Sequence, residues 1–346
     1  MSRSPWTPLH ARLHQTLRHR RLLQPGQRIL VAMSGGQDSL CLGRLLLDLQ
    51  CQWHWEVAIA HCNHRWRPDA DDNAAYVAQL AQTWEVPYYG ADLSPAEAAA
   101  MTSEAAARTW RYRVLADIAQ THGFEVVVTG HTASDRAETV LYNLVRGSGA
   151  DGLQALTWGR SLTPTVQLVR PLLNVTRSET GQYCRDAGLQ VWEDSTNDDW
   201  RYARNRIRQE LMPYLQQHFN SAVEQNLAQT AELLQADVTL LESLTDDWWQ
   251  QAVQMSGLSE PVSQVTPGET QDYWVNRAVL RAAPLALQRR VLRRLLLAIL
   301  PQAPNFEQIE KLVALLSAPN GSQTDPFPGG AIARVERDQI VFAKPT

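Results

Sequence analysis

Five short apolar runs rich in β-branched residues recur along the first half of the chain: RILVAM (28–33), WEVAIAH (55–61), VPYYGADL (86–93), EVVVTGH (125–131) and VQLVRPLL (166–173). Between them, segments that begin at Asp38, Asp69, Ser103 and Ser134 carry apolar residues at three- and four-residue spacing after polar or acidic starts. The alternation predicts a parallel sheet flanked by crossover helices. From about residue 176 the pattern changes. A helix is expected near 177–187, followed by the irregular acidic stretch WEDSTNDDW (192–200) and a helical connector, RYARNRIRQELMPYLQQHF (201–219). A long amphipathic helix (222–249), a Gly-, Pro- and Ser-rich loop (256–271), two further helices (284–300 and 306–317) and a terminal hairpin (329–345) complete the chain. The expected architecture is therefore an α/β domain over 1–218 and a mainly helical domain over 219–346 that ends in a short β-hairpin.

Composition sharpens this picture in four places. With 346 residues and 44% apolar content, the chain is long enough for two or three domains with real cores. No apolar run approaches the roughly 20 residues that span a bilayer, and the basic start lacks the apolar core of a secretory signal, so a soluble, cytoplasmic protein with no membrane partner is expected. The four cysteines, Cys41, Cys51, Cys62 and Cys184, form no CxxC pair and no metal-ligand spacing. They read as buried or incidental thiols. The formal charge of −4 supplies no global pull toward nucleic acid, so a polyanion would have to meet local basic patches.

The first such chemistry lies in SGGQDS, immediately after the first apolar run. A strand delivers the chain to Gly35 and Gly36, whose missing side chains let backbone N–H groups approach an anion, and a helix then begins. Neither a Walker loop, which requires a lysine, nor a dinucleotide fingerprint is present. A Gly-Gly turn alone is equally compatible with a mere tight turn. The full stretch adds the hydroxyls of Ser34 and Ser39, the side chain of Gln37 and the carboxylate of Asp38, a group suited to holding Mg²⁺ on a phosphate. It resembles the PP-loop signature SGGxDS of the N-type ATP pyrophosphatases, whose fold is adenine nucleotide alpha hydrolase-like. The resemblance implies cleavage of ATP between its α- and β-phosphates, adenylation of a substrate oxygen and displacement of AMP by a nucleophile.

Further motifs select within that superfamily. HCNHRWR (61–67) follows the second strand, SEAAARTWRY places Glu104, Arg108, Arg111 and Tyr112 on one helix, and TGHTASDRAET brings His131, Asp135, Glu138 and Thr139 to the end of the fourth strand. RPLL (170–173), RNRIRQELMP (204–213) and LALQRRVLRRLL (285–296) lie beyond. The combination is similar to the tRNA(Ile)-lysidine synthase family, strongly over about 25–218 and more loosely after it. The resemblance implies ATP-dependent ligation of free L-lysine to carbon 2 of the wobble cytidine in the CAU anticodon of tRNA(Ile), with release of AMP and pyrophosphate. Codon reading would thereby change from AUG to AUA and amino-acid identity from methionine to isoleucine. Longer family members carry an additional C-terminal domain, which this chain is expected to lack.

Asp135 and Glu138, three apart at a helix start, place two carboxylates on one face. Such a pair wants a cation, although a helix N-terminus also favours acids through its dipole. Under the family reading that cation is lysine, whose ε-ammonium must lose a proton before it attacks, with Asp135 the first choice for the role and Glu138 the second. Arg111, with Arg108 beside it, suits charge on the α-phosphate or the adenylated base, a salt bridge to Glu104 being the alternative. His131 would hydrogen-bond phosphate or the activated base, and His61 would contribute to the ATP site.

Two arginine clusters remain: Arg201, Arg204, Arg206 and Arg208 on the connector, and Arg289, Arg290, Arg293 and Arg294 on a later helix. Each fits either a solvated helix face or the backbone of a large folded RNA. The twelve tryptophans fit packing or base stacking. Two rival enzyme readings are weaker. A PP-loop tRNA thiolase needs paired or activated cysteines, and synthetases of the superfamily do not need the basic helices. A non-catalytic RNA-binding module would predict a broken loop, whereas Ser34, Gly35, Gly36, Asp38 and Ser39 are all present. The oligomeric state stays open, a homodimer included.

Overall fold

In the computed structural model, which describes residues 6–66, 68–94, 97–98, 103–193, 200, 203–255 and 273–343, the five expected runs become parallel strands. They are β1 (Arg28–Ala32), β2 (Glu56–Asn63), β3 (Tyr88–Asp92), β4 (Val126–Thr129) and β6 (Gln167–Val169). A three-residue strand β5 (Gly159–Ser161), absent from the sequence reading, pairs antiparallel with β6 at the edge and gives the order β3-β2-β1-β4-β6-β5. The alternation along β1 explains the two-sided burial. Ile29 and Val31 pack with Leu42, Leu45 and Leu46 of the helix Gln37–Trp53, whereas Leu30 packs with Leu115 and Ala119 of the helix Glu104–His122. The chain runs outward from β1 to β2 and β3 on one side and returns to β4 on the other. The carboxyl ends of β1 and β4 therefore flank a topological switch point, where ligands of open α/β sheets bind.

The first helix, Pro8–His19, was also missed by the sequence reading, although Leu9, Leu13 and Leu17 recur at fourfold spacing on its buried face. It docks through a polar contact. His10 Nε2 lies 3.1 Å from Asp48 Oδ2, and Arg44 Nη2 holds Asp48 Oδ1 at 2.6 Å. Burial alone would raise the Asp48 pKa, but the His10 and Arg44 contacts outweigh it and hold the carboxyl below the usual range. Because the folded value lies below the unfolded one of about 3.9, the stabilisation is complete above the unfolded value and disappears as pH falls through the folded one. Asp48→Asn is expected to destabilise the protein at pH 7 by on the order of 1–3 kcal/mol and to flatten the acid limb of Tm against pH. An unchanged acid limb would place the sensitivity in another carboxylate.

The chain divides into two units, 1–235 and 236–346, with the helix Val223–Ala252 running across the division. In the second unit the expected hairpin forms from β9 (Ile332–Glu336) and β10 (Gln339–Ala343). It is extended by β8 (Tyr273–Asn276) and β7 (Val253–Met255) into a four-stranded antiparallel sheet, order β7-β8-β10-β9. Leu292, Leu295 and Leu296 of the helix Leu285–Ile299 and Leu312 of the helix Phe306–Leu315 bury against Val275, Val335 and Ile340 of this sheet. The Gly-, Pro- and Ser-rich loop 256–271 lies outside the described residues. Trp53, Trp55, Trp84, Trp110 and Trp158 are buried in the first unit, consistent with packing, while Trp6, Trp66 and Trp200 are exposed.

Candidate active site

The turn after β1 is built for close approach. Gly35 adopts a left-handed φ of +87°, and a Cβ there would fall 2.7 Å from Asn73 Nδ2. Ser34 Oγ and Ser39 Oγ lie 3.1 Å apart, and Ser39 Oγ donates to the Gly36 carbonyl at 2.9 Å. Both hydroxyls thus shape the turn. Gly36 caps the helix Gln37–Trp53 without a side-chain bond, and Leu40 is the first residue whose N–H meets an intrahelical acceptor, the Gly36 carbonyl. The amides of Gln37, Asp38 and Ser39 form the open helix N-terminus, an anion-binding arrangement of donors and dipole.

A second helix, Arg177–Asp186, closes one flank. Thr180 Oγ1 hydrogen-bonds Asp38 Oδ1, and Arg177 Nη1 stands 3.6 Å from Asp38 Oδ2. Gln37 Nε2 donates to the Arg177 carbonyl at 2.7 Å and to Thr180 Oγ1 at 3.1 Å. The expected ATP contact from Gln37 is therefore limited to its backbone, because the amide side chain ties two helices together. Burial, aided by the neighbouring charge of Asp135, raises the Asp38 pKa against the opposing pull of Arg177, Thr180 and Gln37.

On the opposite side β4 ends in Gly130 and His131, and the helix Ala133–Val145 begins. Gly130 passes so close to the loop that a Cβ would meet the backbone C and O of Asp38 at 2.8 Å. Asp135 completes a capping box: its Oδ2 accepts from Thr132 N at 2.7 Å and from Thr132 Oγ1 at 2.8 Å. Its other oxygen lies 3.6 Å from Arg208 Nη2. Glu138 is 4% exposed and bound in a fork by Arg208, at 2.7 and 2.9 Å. Glu138 and Asp135 hold Arg208 firmly protonated against the opposing effect of burial. His131 is half-buried, with Nδ1 2.8 Å from Thr129 Oγ1. Burial, reinforced by Arg170, Arg108 and Arg111 and opposed by Asp135, pulls its pKa down to about 3, so the imidazole is neutral at neutral pH.

These elements enclose a crevice of about 320 Å³, lined by Ser34, Gly36, Asp38 and Ser39 from the loop, His61 and His64 from β2 and its end, Arg111 and Tyr112 from the helix Glu104–His122, and His131 and Asp135. The volume falls within the range of small-ligand sites. The structure thus brings together Asp38, Arg111, His131 and Asp135 over one cavity. His61 is 4% exposed and its Nδ1 lies 2.8 Å from the Met33 carbonyl, a bond that also ties β2 to the loop. Glu138 does not line the crevice; it stands behind Asp135 on the same helix, joined to Arg208. Thr180 and Thr132 were not anticipated, because their roles depend on helix starts that pack beside the loop from elsewhere in the chain.

The expected arginine cluster on the connector is divided. Arg201 lies outside the described residues. After the helical turn Ala203–Arg206 the backbone widens into a π segment, Ile207–Leu211, instead of continuing as one helix. Arg204 lies with its Cζ 5.8 Å from the Tyr142 ring centre, Arg206 donates to the Trp200 carbonyl at 2.7 Å, and Arg208 points to Glu138. In the second unit, Arg289 pairs with Glu310 at 2.8 Å, Arg290 pairs with Glu242, and Arg294 pairs with Glu242 and Asp246 at 2.9 and 2.6 Å. Three of the four arginines that include Arg293 are therefore ion-paired within their own unit.

Comparison with known proteins agrees with this geometry. A PP-loop domain model matches residues 7–215, and a TilS substrate binding domain model matches residues 276–341. A tRNA(Ile)-lysidine synthase from Nostoc sp. is 57% identical over 97% of this chain and 97% of its own length, and one from Synechocystis sp. is 50% identical over 97% and 98%. Among solved structures, the U34-tRNA thiolase NcsA from Methanococcus maripaludis superimposes with a TM-score of 0.55 at 15% identity, over 65% of this chain and 77% of that one, a likeness of fold alone. Both units and nearly the whole length are covered by these relatives, so the chain belongs to the tRNA(Ile)-lysidine synthase family.

Proposed function

We propose that the chain joins free L-lysine to carbon 2 of the wobble cytidine in tRNA(Ile) bearing a CAU anticodon, and that the crevice between β1 and β4 performs both steps. The observation that carries this reading is the meeting of an open helix N-terminus with two carboxylates, a neutral imidazole and an arginine over one cavity. The amides of Gln37, Asp38 and Ser39 receive the ATP phosphates. Among the described residues, no cluster of three or more His, Cys, Asp or Glu side chains converges as a metal cage. The donor set instead suits Mg²⁺, which takes one or two carboxylates and completes its shell with substrate phosphates. Asp38 would hold it, and the ion would supply charge neutralisation on the pyrophosphate.

In the first step the cytidine O2 attacks the α-phosphorus, forming an O–P bond as the bond to pyrophosphate breaks. Arg111 neutralises the charge that develops on the α-phosphate oxygens, and neutral His131 offers a hydrogen bond without adding charge. In the second step Asp135 binds and orients the lysine ammonium and assists its deprotonation. The free amine then forms the N–C2 bond while the C2–O bond breaks and AMP leaves with the oxygen. The product shifts codon reading from AUG to AUA and identity from methionine to isoleucine. The second unit contributes to tRNA binding. Among the described residues no helix is long and apolar enough to cross a membrane, and we place the reaction in the cytoplasm.

The direct test incubates the protein with ATP, labelled lysine and a tRNA carrying the CAU anticodon. Lysine-dependent transfer of label to RNA is expected, with one AMP and one pyrophosphate per lysine. Cleavage of ATP with no label in RNA would assign the chain to another PP-loop activity.

A further inference from the structure

We propose that Arg108 and Arg170, closed around Tyr112 at the edge of the crevice, form a phosphodiester site that holds the RNA backbone beside the target cytidine. The proposal rests on the tRNA reading above and adds to it a contact for the backbone.

Arg108 and Tyr112 are four residues apart on the helix Glu104–His122, so their side chains share one face. The Arg108 guanidinium lies 5.3 Å from the Tyr112 ring centre, and that of Arg160 lies 4.8 Å from it. Arg170 immediately follows β6, and its charge acts on both Tyr112 and His131. Tyr112, Arg111 and His131 line the crevice, and the charges of Arg108 and Arg170 act on Tyr112 and His131.

Two features of this cluster point to a ligand. First, its cations lack carboxylate partners: among the described residues, Arg108, Arg111 and Arg170 form no ion pair. Three other buried or half-buried arginines are paired with acids: Arg44 with Asp48, Arg136 with Glu232 and Arg208 with Glu138. Converging cations repel one another, and a fold that keeps them unpaired does so for an anion. Second, Arg170 is 2% exposed. Its Nη1 donates to the Thr157 carbonyl at 2.7 Å, but its Nε is buried with no hydrogen-bond partner. An unsatisfied buried donor on a charged group is costly, and a phosphate oxygen would satisfy it.

The chemistry of the anion follows from placement. The triphosphate has its own cradle of amides after β1, whereas in this cluster Arg170 follows β6 and Arg108 lies on the helix that carries Arg111 and Tyr112. A nucleotide whose base enters the crevice must carry its sugar–phosphate over a lip of that crevice. Guanidinium forks match the two free oxygens of a phosphodiester, and the Tyr112 ring supplies a stacking face beside them.

The test uses the full chain with a tRNA anticodon stem-loop in which one linkage flanking the wobble cytidine is a neutral methylphosphonate. Lysine transfer is measured at varied RNA, ATP and salt. Arg108→Gln is expected to raise the KM for RNA by about tenfold, to lower the slope of its logarithm against log salt by about 0.7, and to leave the KM for ATP at the wild-type value. The neutral linkage should weaken the wild type equally and weaken Arg108→Gln no further. Arg108→Lys should restore the salt slope while keeping part of the KM defect, which separates lost charge from a folding defect. A raised KM for ATP with an unchanged RNA salt slope would give the cluster to the triphosphate and overturn the proposal. Additive effects of variant and neutral linkage would overturn it too, since they would share no phosphate. Failure of the tRNA reading itself is distinguishable, because the wild type would then transfer no lysine to any RNA.

Discussion

Asp135→Asn is expected to release pyrophosphate at close to the wild-type rate while lysine transfer falls by about 10²–10⁴-fold, the range of a lost acid–base group. The structure explains why asparagine is the informative replacement. One Asp135 oxygen caps the helix through Thr132, and the other faces Arg208 and the crevice. Asparagine keeps an acceptor for the cap, so the variant should lose no more than about 1 kcal/mol of stability but can neither attract an ammonium nor accept its proton. The adenylated base would still form, and this activated intermediate would wait for water or a poorly placed amine. Quench-flow measurement of pyrophosphate and of label in RNA separates the two steps. Equal losses in both would place Asp135 in ATP activation instead, through the field that it exerts on Asp38.

Gly130→Ala is expected to lower kcat/KM for ATP by about 10²-fold without removing any polar side chain. Its Cβ would stand 2.8 Å from the Asp38 carbonyl carbon and oxygen and 2.9 Å from the Ser39 nitrogen, all backbone atoms that cannot rotate away. The loop would have to shift, carrying the phosphate-binding amides and the Asp38 carboxylate with it. Overpacking of this kind should also destabilise the fold by about 1–3 kcal/mol. Gly149→Ala serves as the control, because a Cβ there meets nothing within 4 Å. Wild-type ATP kinetics in Gly130→Ala would mean that the separation between β4 and the loop is unimportant for the phosphate grip.

Much of this site was legible before any packing was known. The five parallel strands follow from alternating β-branched runs and crossover helices, and the loop 34–39 declares itself by a strand, two glycines and a helix start in immediate succession. Two omissions had local causes. β5 is three residues long and exposed along its length, so it carries no periodic signal. The first helix does carry one, in Leu9, Leu13 and Leu17, but over only three turns and among basic and polar residues, His10 and Thr16 sharing its buried face.

The arginines mark the limit of local reading. Arg204 and Arg208, four apart, would share one face of a regular helix, yet the π segment at Ile207–Leu211 re-aims the chain and brings Arg208 to Glu138, seventy residues away in sequence. The leucine-faced helix Leu285–Ile299 was recognised, but its charges are consumed by Glu242, Asp246 and Glu310.

By itself, then, the sequence determined the parallel strands and crossover helices of the first unit, the nature of its phosphate turn and the presence of acids at the end of β4, because each is written in residues adjacent or at a fixed helical or strand period. Tertiary structure alone decided which charges are spent and which remain available. It joined Glu138 to Arg208, set Thr180 against Asp38, made His131 neutral and, among the described residues, left Arg108 and Arg170 without an ion pair. Burial and the meeting of groups far apart in the chain control a side chain's charge, and neither has a local period to read.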